Sequence, residues 1–177
     1  MNNYFELYDI PVSFHPDAAK VKSKFYELSR QYHPDKFTQA DSATQSEVLR
    51  MSAMNNQAYK TLNSADATMA YILRINDLLE DEEKYNLPAE FLMEMMDLNE
   101  IVSEYEMEKE NEEIKTQAIT ALEDQFKQWD EEVAPLTKDF DSSMQNKELL
   151  LQIKDYYFRK KYLLRIQGRI HSFSENA

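Results

Sequence analysis

The chain of 177 residues contains no cysteine, one glycine and five prolines. Without cysteine it has no disulfide, no thiol nucleophile and no thiolate ligand for a metal. One glycine is too few for the tight turns of a β-rich fold, and too few for the glycine-rich phosphate loops of many enzymes. No apolar run approaches the roughly 18 residues of a membrane span, and no charged-then-apolar leader opens the chain. We therefore expect an all-α, cytoplasmic protein without cofactor.

Negative charge is abundant but unevenly placed. The net charge is −13, and residues 80–113 hold 14 acidic side chains against only Lys84 and Lys109. Residues 150–170 hold six cations against Asp155 alone. The simplest interpretation is an acidic helix lying beside a basic one. Nucleic acid is an unfavourable partner for so negative a chain.

The first half of the chain has the pattern of a small helical domain. A short apolar segment at 4–8 precedes two amphipathic segments, and both show apolar positions at spacings of three and four. The first carries Val21, Phe25, Leu28 and Tyr32, and the second carries Val48, Met51, Asn55, Ala58 and Leu62. Two antiparallel helices with a short one across them can close a core. We place this domain at residues 1–79, including a less strongly patterned helix from 65 to about 79.

A charged linker at 80–87 precedes the second domain, residues 88–177. Pro88 suits the first turn of a helix, where its missing N–H costs nothing. Helical patterns cover about 88–112, 114–137 and 145–173, which predicts a three-helix bundle. Pro135 is expected to end or kink the middle helix. The middle helix carries Ala118, Leu122, Phe126, Trp129, Val133 and Leu136 at alternating spacings of four and three.

The tripeptide His-Pro-Asp occurs twice, at residues 15–17 and 33–35. The first copy lies just before a helix, where proline and aspartate favour the opening turn. The second copy lies between two helices, follows a basic segment and is extended by Lys36. Pro34 disfavours helical geometry in the residue before it and stiffens the turn. The second copy is therefore predicted to expose His33 and Asp35 in a fixed arrangement that suits docking to another protein.

The helix at 88–112 has more apolar residues than a bundle needs. At about 100° per residue, Phe91, Met95, Leu98, Val102 and Tyr105 share one sector, which is enough for the core. Leu92, Met93 and Met96 point to the opposite side. They form either an exposed patch for a partner or a contact with the helix at 65–79. On the last helix, Leu149, Ile153, Tyr156 and Leu163 fall together and Phe158 lies on the far side.

These motifs resemble the J domain, from Tyr4-Phe5-Glu6-Leu7 through His33-Pro34-Asp35-Lys36 to Asn56-Gln57-Ala58-Tyr59-Lys60-Thr61-Leu62. The resemblance implies docking on a DnaK/HscA-type chaperone and stimulation of its ATPase. The implied contacts are His33, Pro34, Asp35 and Lys36, with Lys22, Lys24 and Arg30 on the adjacent basic face. Asp9 stands where many J domains have glycine.

The chain lacks a Gly/Phe-rich linker and a cysteine zinc module, and its second half is similar to the HscB family of iron–sulfur cluster assembly. Phe91-Leu92-Met93-Glu94-Met95-Met96-Asp97-Leu98 and Gln31-Tyr32-His33-Pro34-Asp35-Lys36-Phe37 carry this resemblance. It implies an L-shaped pair of domains and an IscU-like scaffold protein as partner. The implied scaffold-binding residues are Leu92, Met93, Met96, Asp97, Glu100, Glu104 and Phe158.

Other classes of function fit less well. Catalysis is disfavoured, because three histidines without metal-ligand spacing and no nucleophile motif give no site for chemistry or a small-molecule substrate. A J-domain adaptor that recruits the chaperone to a different client stays open. So does a purely structural bundle with a chance tripeptide.

Overall fold

A computed structural model of the protein describes residues 3–143 and 146–175. The chain divides into two compact units, Met1–Leu79 and Glu80–Ala177. Every regular element in the described residues is helical, which confirms the predicted all-α class. No helix among the described residues is both long and apolar enough to cross a membrane.

The first unit is a hairpin of two long helices with shorter helices beside it. It contains α1 (Tyr4–Leu7), α2 (Ala18–Gln31), α3 (Ser42–Leu62) and α4 (Ala65–Ile75). All five apolar-face positions predicted for α3 are buried, as is Val21 of α2. Phe25 of α2 stacks on Tyr59 of α3 with ring centroids 4.2 Å apart. The hairpin thus forms along the predicted faces.

Asn55 is the polar centre of this first core. It is only 2% exposed, and its amide group donates to the carbonyl oxygen of Phe25 and to Ser29 Oγ, each at 3.0 Å. The Tyr8 hydroxyl donates to Asn55 Oδ1 at 2.9 Å, and burial raises the pKa of that phenol. A buried amide with all partners present fixes one relative position of the segments that it joins.

The loop after α1 keeps a left-handed residue. Asp9 has a φ of 53°, a conformation that favours glycine and that aspartate tolerates better than most residues. The aspartate therefore occupies the glycine position of many J domains without removing the left-handed turn.

The second unit is a three-helix bundle of α5 (Ala89–Met107), α6 (Glu112–Ser143) and α7 (Lys147–Glu175). The predicted bundle is confirmed, with Pro88 preceding the first residue of α5. The predicted start of the last helix, residue 145, lies outside the described residues. The five predicted core residues of α5 are all buried. Polar ties reinforce the packing: Trp129 Nε1 donates to the Tyr156 carbonyl oxygen at 2.7 Å, and Asn99 Nδ2 donates to the Tyr162 hydroxyl at 2.7 Å.

Of the two effects predicted for Pro135, an end of the middle helix is wrong, because α6 continues to Ser143; a kink stays a prediction. A proline inside a helix costs about 3 kcal/mol. Val133 and Phe140 are buried on either side of Pro135, and each buried side chain of this size contributes about 1.5–3 kcal/mol. Pro135 and Glu131, whose carbonyl loses its helical partner, are both exposed, so water can satisfy that oxygen.

Candidate functional site

The second His-Pro-Asp copy forms the turn between α2 and α3. The N–H of Tyr32 closes α2 by donating to the Leu28 carbonyl oxygen at 2.8 Å. His33 is extended, with φ −73° and ψ 121°, and Pro34–Phe37 form a 3-10 turn. This geometry agrees with the restriction that a proline places on the residue before it.

His33 and Asp35 lie on the surface. Their side chains are 54% and 87% exposed. His33 Nδ1 accepts the backbone N–H of Asp35 at 3.3 Å and lies 3.8 Å from Asp35 Oδ2. The hydrogen bond fixes the ring relative to the turn and leaves Nε2 and the carboxylate available to a partner.

Hydrogen bonds hold the turn at both ends. Lys36 Nζ donates to the Arg30 carbonyl oxygen at 2.7 Å, at the end of α2. Gln45 Nε2 donates to the carbonyl oxygens of Thr38 and Ala40 at 3.2 and 3.0 Å, which ties the loop to α3. The turn is therefore presented in a preformed shape.

Asp41 completes this support by capping α3. Its carboxylate accepts the backbone N–H of Thr44 at 2.9 Å and the Thr44 hydroxyl at 2.8 Å. Those hydrogen bonds, the backbone one first, lower the pKa of the Asp41 carboxyl. A side-chain cap of this kind fixes where the helix begins.

The first His-Pro-Asp copy serves as a helix start, as predicted. Asp17 is the N-cap of α2 and accepts the backbone N–H groups of Ala19 and Lys20 at 2.9 and 3.1 Å. Its carboxylate is engaged by its own helix, whereas that of Asp35 is not used to cap a long helix.

The basic residues of α2 do not form one face. At about 100° per residue, Lys22 and Arg30 lie within about 80° of each other, whereas Lys24 lies about 160° from Lys22. Lys24 pairs with Glu27 at 3.4 Å. Tyr26, which is 51% exposed, lies between Lys22 and Arg30. Sequence reasoning missed Tyr26, although its spacing of four residues from both cations was available.

The three apolar residues opposite the core of α5 are exposed. Leu92, Met93 and Met96 are 43%, 68% and 65% exposed. The acidic residues Asp97, Glu100 and Glu104 are exposed on the same side of the helix. We call these six side chains the α5 patch. Exposed apolar residues that cluster within an acidic rim are typical of a protein-binding surface.

Phe158, which helical spacing places opposite the core stripe of the last helix and which the family resemblance implies in scaffold binding, is buried. The side chain is 8% exposed, and its ring stacks on Tyr85 with centroids 4.4 Å apart and planes 3° from parallel. The Tyr85 hydroxyl donates to Asp155 Oδ1 at 2.9 Å. Burial, and then this hydrogen bond, raise the pKa of Tyr85 to about 12. The segment predicted to be a charged linker thus covers Phe158.

Within the described ranges, no three His, Asp or Glu side chains come together as a possible metal site. The candidate sites considered for partner binding are the turn and the α5 patch.

The helical hairpin with its exposed His-Pro-Asp turn, followed by a three-helix bundle, defines the class of J-domain co-chaperones. Residues 87–171 match the family model of the HSCB C-terminal oligomerisation domain. The human co-chaperone protein HscB is similar over 96% of this chain and 80% of its own, with 26% identity and a TM-score of 0.74. Chaperone HscB from Vibrio cholerae shares the fold over 98% of both chains, with 23% identity and a TM-score of 0.70.

Residues 87–171 thus belong to the HSCB C-terminal domain family, and the chain as a whole is similar to HscB co-chaperones, which confirms the resemblance drawn from its motifs.

Proposed function

We propose that this protein docks on a DnaK/HscA-type chaperone, stimulates its ATPase and delivers an IscU-like cluster scaffold protein to it. The observation that carries the proposal is the presence, in one chain, of the exposed turn and the exposed α5 patch. The chain itself performs no catalysis, and the cluster stays on the scaffold as cargo.

The chaperone end is the turn with its neighbouring cations. Asp35 can accept charge-assisted hydrogen bonds from an arginine or lysine of the chaperone. His33, Pro34 and Lys36 present that carboxylate in a fixed orientation. Lys22 and Arg30, with Lys24 on the other flank of α2, attract an acidic partner surface and raise the rate of encounter.

The scaffold end is the α5 patch. Methionines adapt to uneven surfaces, and Leu92 supplies a shaped apolar contact. Asp97, Glu100 and Glu104 orient a partner that carries cations around an apolar centre. Phe158 contributes to this site only where Tyr85 moves off its ring, because that ring covers it here.

The experiment for the chaperone end uses the two copies of the tripeptide as a matched pair. His33→Gln is expected to remove stimulation of the chaperone ATPase, while His15→Gln, the same change in the copy that starts α2, leaves it unchanged. Both variants should keep the helical circular dichroism of the unaltered protein. Normal stimulation by His33→Gln would refute the docking role of the turn.

The experiment for the scaffold end measures affinity for purified scaffold. Leu92→Ala with Met96→Ala should weaken binding by about tenfold or more, because both contacts are removed from the centre of the patch. The matched control is Ile119→Ala with Leu151→Ala, two other exposed apolar residues of the second unit. Unchanged scaffold binding with intact ATPase stimulation would favour an adaptor for another client.

A further inference from the structure

A groove separate from the exposed apolar side chains of α5 runs between the segment 83–87 and α7. Its volume is about 630 Å³, within the range of known ligand sites. The apolar part of its lining comprises Tyr85, Leu87, Phe158 and Leu164. Only two stretches of chain line it, so it is an open groove, suited to a segment of polypeptide.

The segment that forms one wall is fastened to α7 at two successive sites. Glu83 pairs with Lys154, and this hydrogen bond lowers the pKa of the Glu83 carboxyl. Two residues on, the Tyr85 hydroxyl donates to Asp155 while its ring stacks on Phe158. The groove is therefore preformed and does not need to be assembled by its occupant.

The charge of the groove is opposite to that of the protein. Lys84, Lys161 and Arg165 line it, and among the described residues none of the three has a carboxylate partner. Its one acidic residue, Glu83, is neutralised by Lys154. Lys161 and Arg165 lie over aromatic rings, at 5.7 Å from Phe158 and 5.7 Å from Tyr162. Three cations that have no carboxylate partner in the described part of the chain thus surround an aromatic floor, although the net charge is −13.

We propose that this groove binds an acidic segment of the scaffold protein, in which carboxylates flank an apolar side chain. The apolar side chain packs on Tyr85, Leu87 and Leu164, and the carboxylates pair with Lys84, Lys161 and Arg165. The inference rests on the proposed scaffold-binding function and adds a second contact to it.

Two observations favour a polypeptide from that same partner. Leu87 lines the groove and precedes Leu92 by five residues, so one bound protein can reach both surfaces. A nucleic acid would also offer anions. However, the phosphates of a nucleic acid that extends past the groove would meet residues 80–113, whose 14 acidic side chains repel them.

The test measures binding of the scaffold to the full chain carrying Lys161→Gln with Arg165→Gln. We expect affinity to fall by about tenfold at low salt, and the difference to shrink as salt screens the charges. Lys127→Gln with Lys138→Gln removes the same charge from exposed positions of α6 and should change affinity by less than about twofold. Circular dichroism checks that both variants fold.

The outcomes separate this inference from the proposed function. If the groove and control variants bind the scaffold equally well while Leu92→Ala with Met96→Ala still weakens binding, only the proposed role of the groove is overturned. Absence of scaffold binding by the unaltered chain overturns both. If a single-stranded oligonucleotide instead binds the unaltered chain and fails to bind the chain carrying Lys161→Gln with Arg165→Gln, the assignment to an acidic polypeptide is overturned.

Discussion

The turn and the α5 patch are both exposed, but they are built in opposite ways. Backbone and side-chain hydrogen bonds from α2 and α3 fix His33 and Asp35. By contrast, Leu92, Met93 and Met96 project from one helix into solvent. A fixed polar group suits a contact whose geometry triggers a response, and flexible apolar side chains suit a grip that adapts to its partner. We therefore expect binding at the proposed chaperone site to depend on orientation, and binding at the proposed scaffold site to depend on contact area.

The cores of the two units also differ, because the first has a polar centre and the second is mainly apolar. The first unit is centred on a buried amide, Asn55, with hydrogen bonds to Tyr8, just after α1, and to α2. The second buries aliphatic and aromatic side chains, with polar ties such as Trp129 to the Tyr156 carbonyl at its margin. A buried polar centre specifies one arrangement more strictly than apolar contacts do.

The largest effect is expected from breaking that polar centre. Asn55→Ala removes the side-chain amide that bonds Tyr8, Phe25 and Ser29, leaving the Tyr8 hydroxyl only the Asn55 backbone carbonyl at 3.1 Å. It should destabilise the first unit by about 2–3 kcal/mol. Urea unfolding of the full chain, followed by signals of the first unit, measures this. His33→Gln is the control and should change the free energy of unfolding by less than about 0.5 kcal/mol. Equal destabilisation by both would contradict the separation of support from function.

The acidic rim sharpens the comparison on the scaffold side. Replacing Asp97, Glu100 and Glu104 by their amides should slow scaffold association by about tenfold at low salt, with a smaller effect on dissociation. Stopped-flow or surface-binding kinetics measure both rates. Glu123→Gln, Asp124→Asn and Glu131→Gln on α6 remove the same charge elsewhere. A rim variant that alters only dissociation means that the acids make close contacts and do not steer.

Tyr85→Phe tests the wall over Phe158. It should cost about 1 kcal/mol near neutral pH through the lost hydrogen bond to Asp155. The native pKa of Tyr85 is raised to about 12, so the stabilisation by its protonated phenol is fully present below about pH 10 and is lost as pH rises through about 12. The difference in unfolding free energy between the two proteins should therefore shrink above pH 10. A difference that grows there would contradict the assigned hydrogen bond.

The smallest effect is expected from loosening the turn. Lys36→Met removes the tie to the Arg30 carbonyl oxygen and should lower ATPase stimulation by about threefold. Steady-state ATPase assays measure it, with Lys60→Met on the exposed surface of α3 as the control. If Lys36→Met removes ATPase stimulation as completely as His33→Gln does, Lys36 itself contacts the chaperone.

The sequence predicted the helices and their buried faces well, because spacings of three and four reflect geometry that neighbouring residues share. Val48, Met51 and Ala58 in α3 are examples, as are Met95 and Val102 in α5. The exposure of the turn also followed from local rules about proline.

Features that depend on distant partners were not predictable from spacing. Phe158 is covered by Tyr85, some seventy residues away in the chain, which no helical periodicity encodes. Helix α6 runs past Pro135 because burial on both sides outweighs the local cost. In both cases tertiary contacts outweigh the preference of the local sequence.

The bridging claim is tested most directly by asking whether both sites must lie on one molecule. Unaltered protein with scaffold is expected to stimulate the chaperone ATPase more than the protein or the scaffold alone. A mixture of His33→Gln protein and protein carrying Leu92→Ala with Met96→Ala supplies one intact copy of each site on separate molecules. We predict that adding scaffold to this mixture raises the chaperone ATPase rate no more than adding it to the Leu92→Ala, Met96→Ala protein alone. Full recovery of the gain by the mixture would contradict the account.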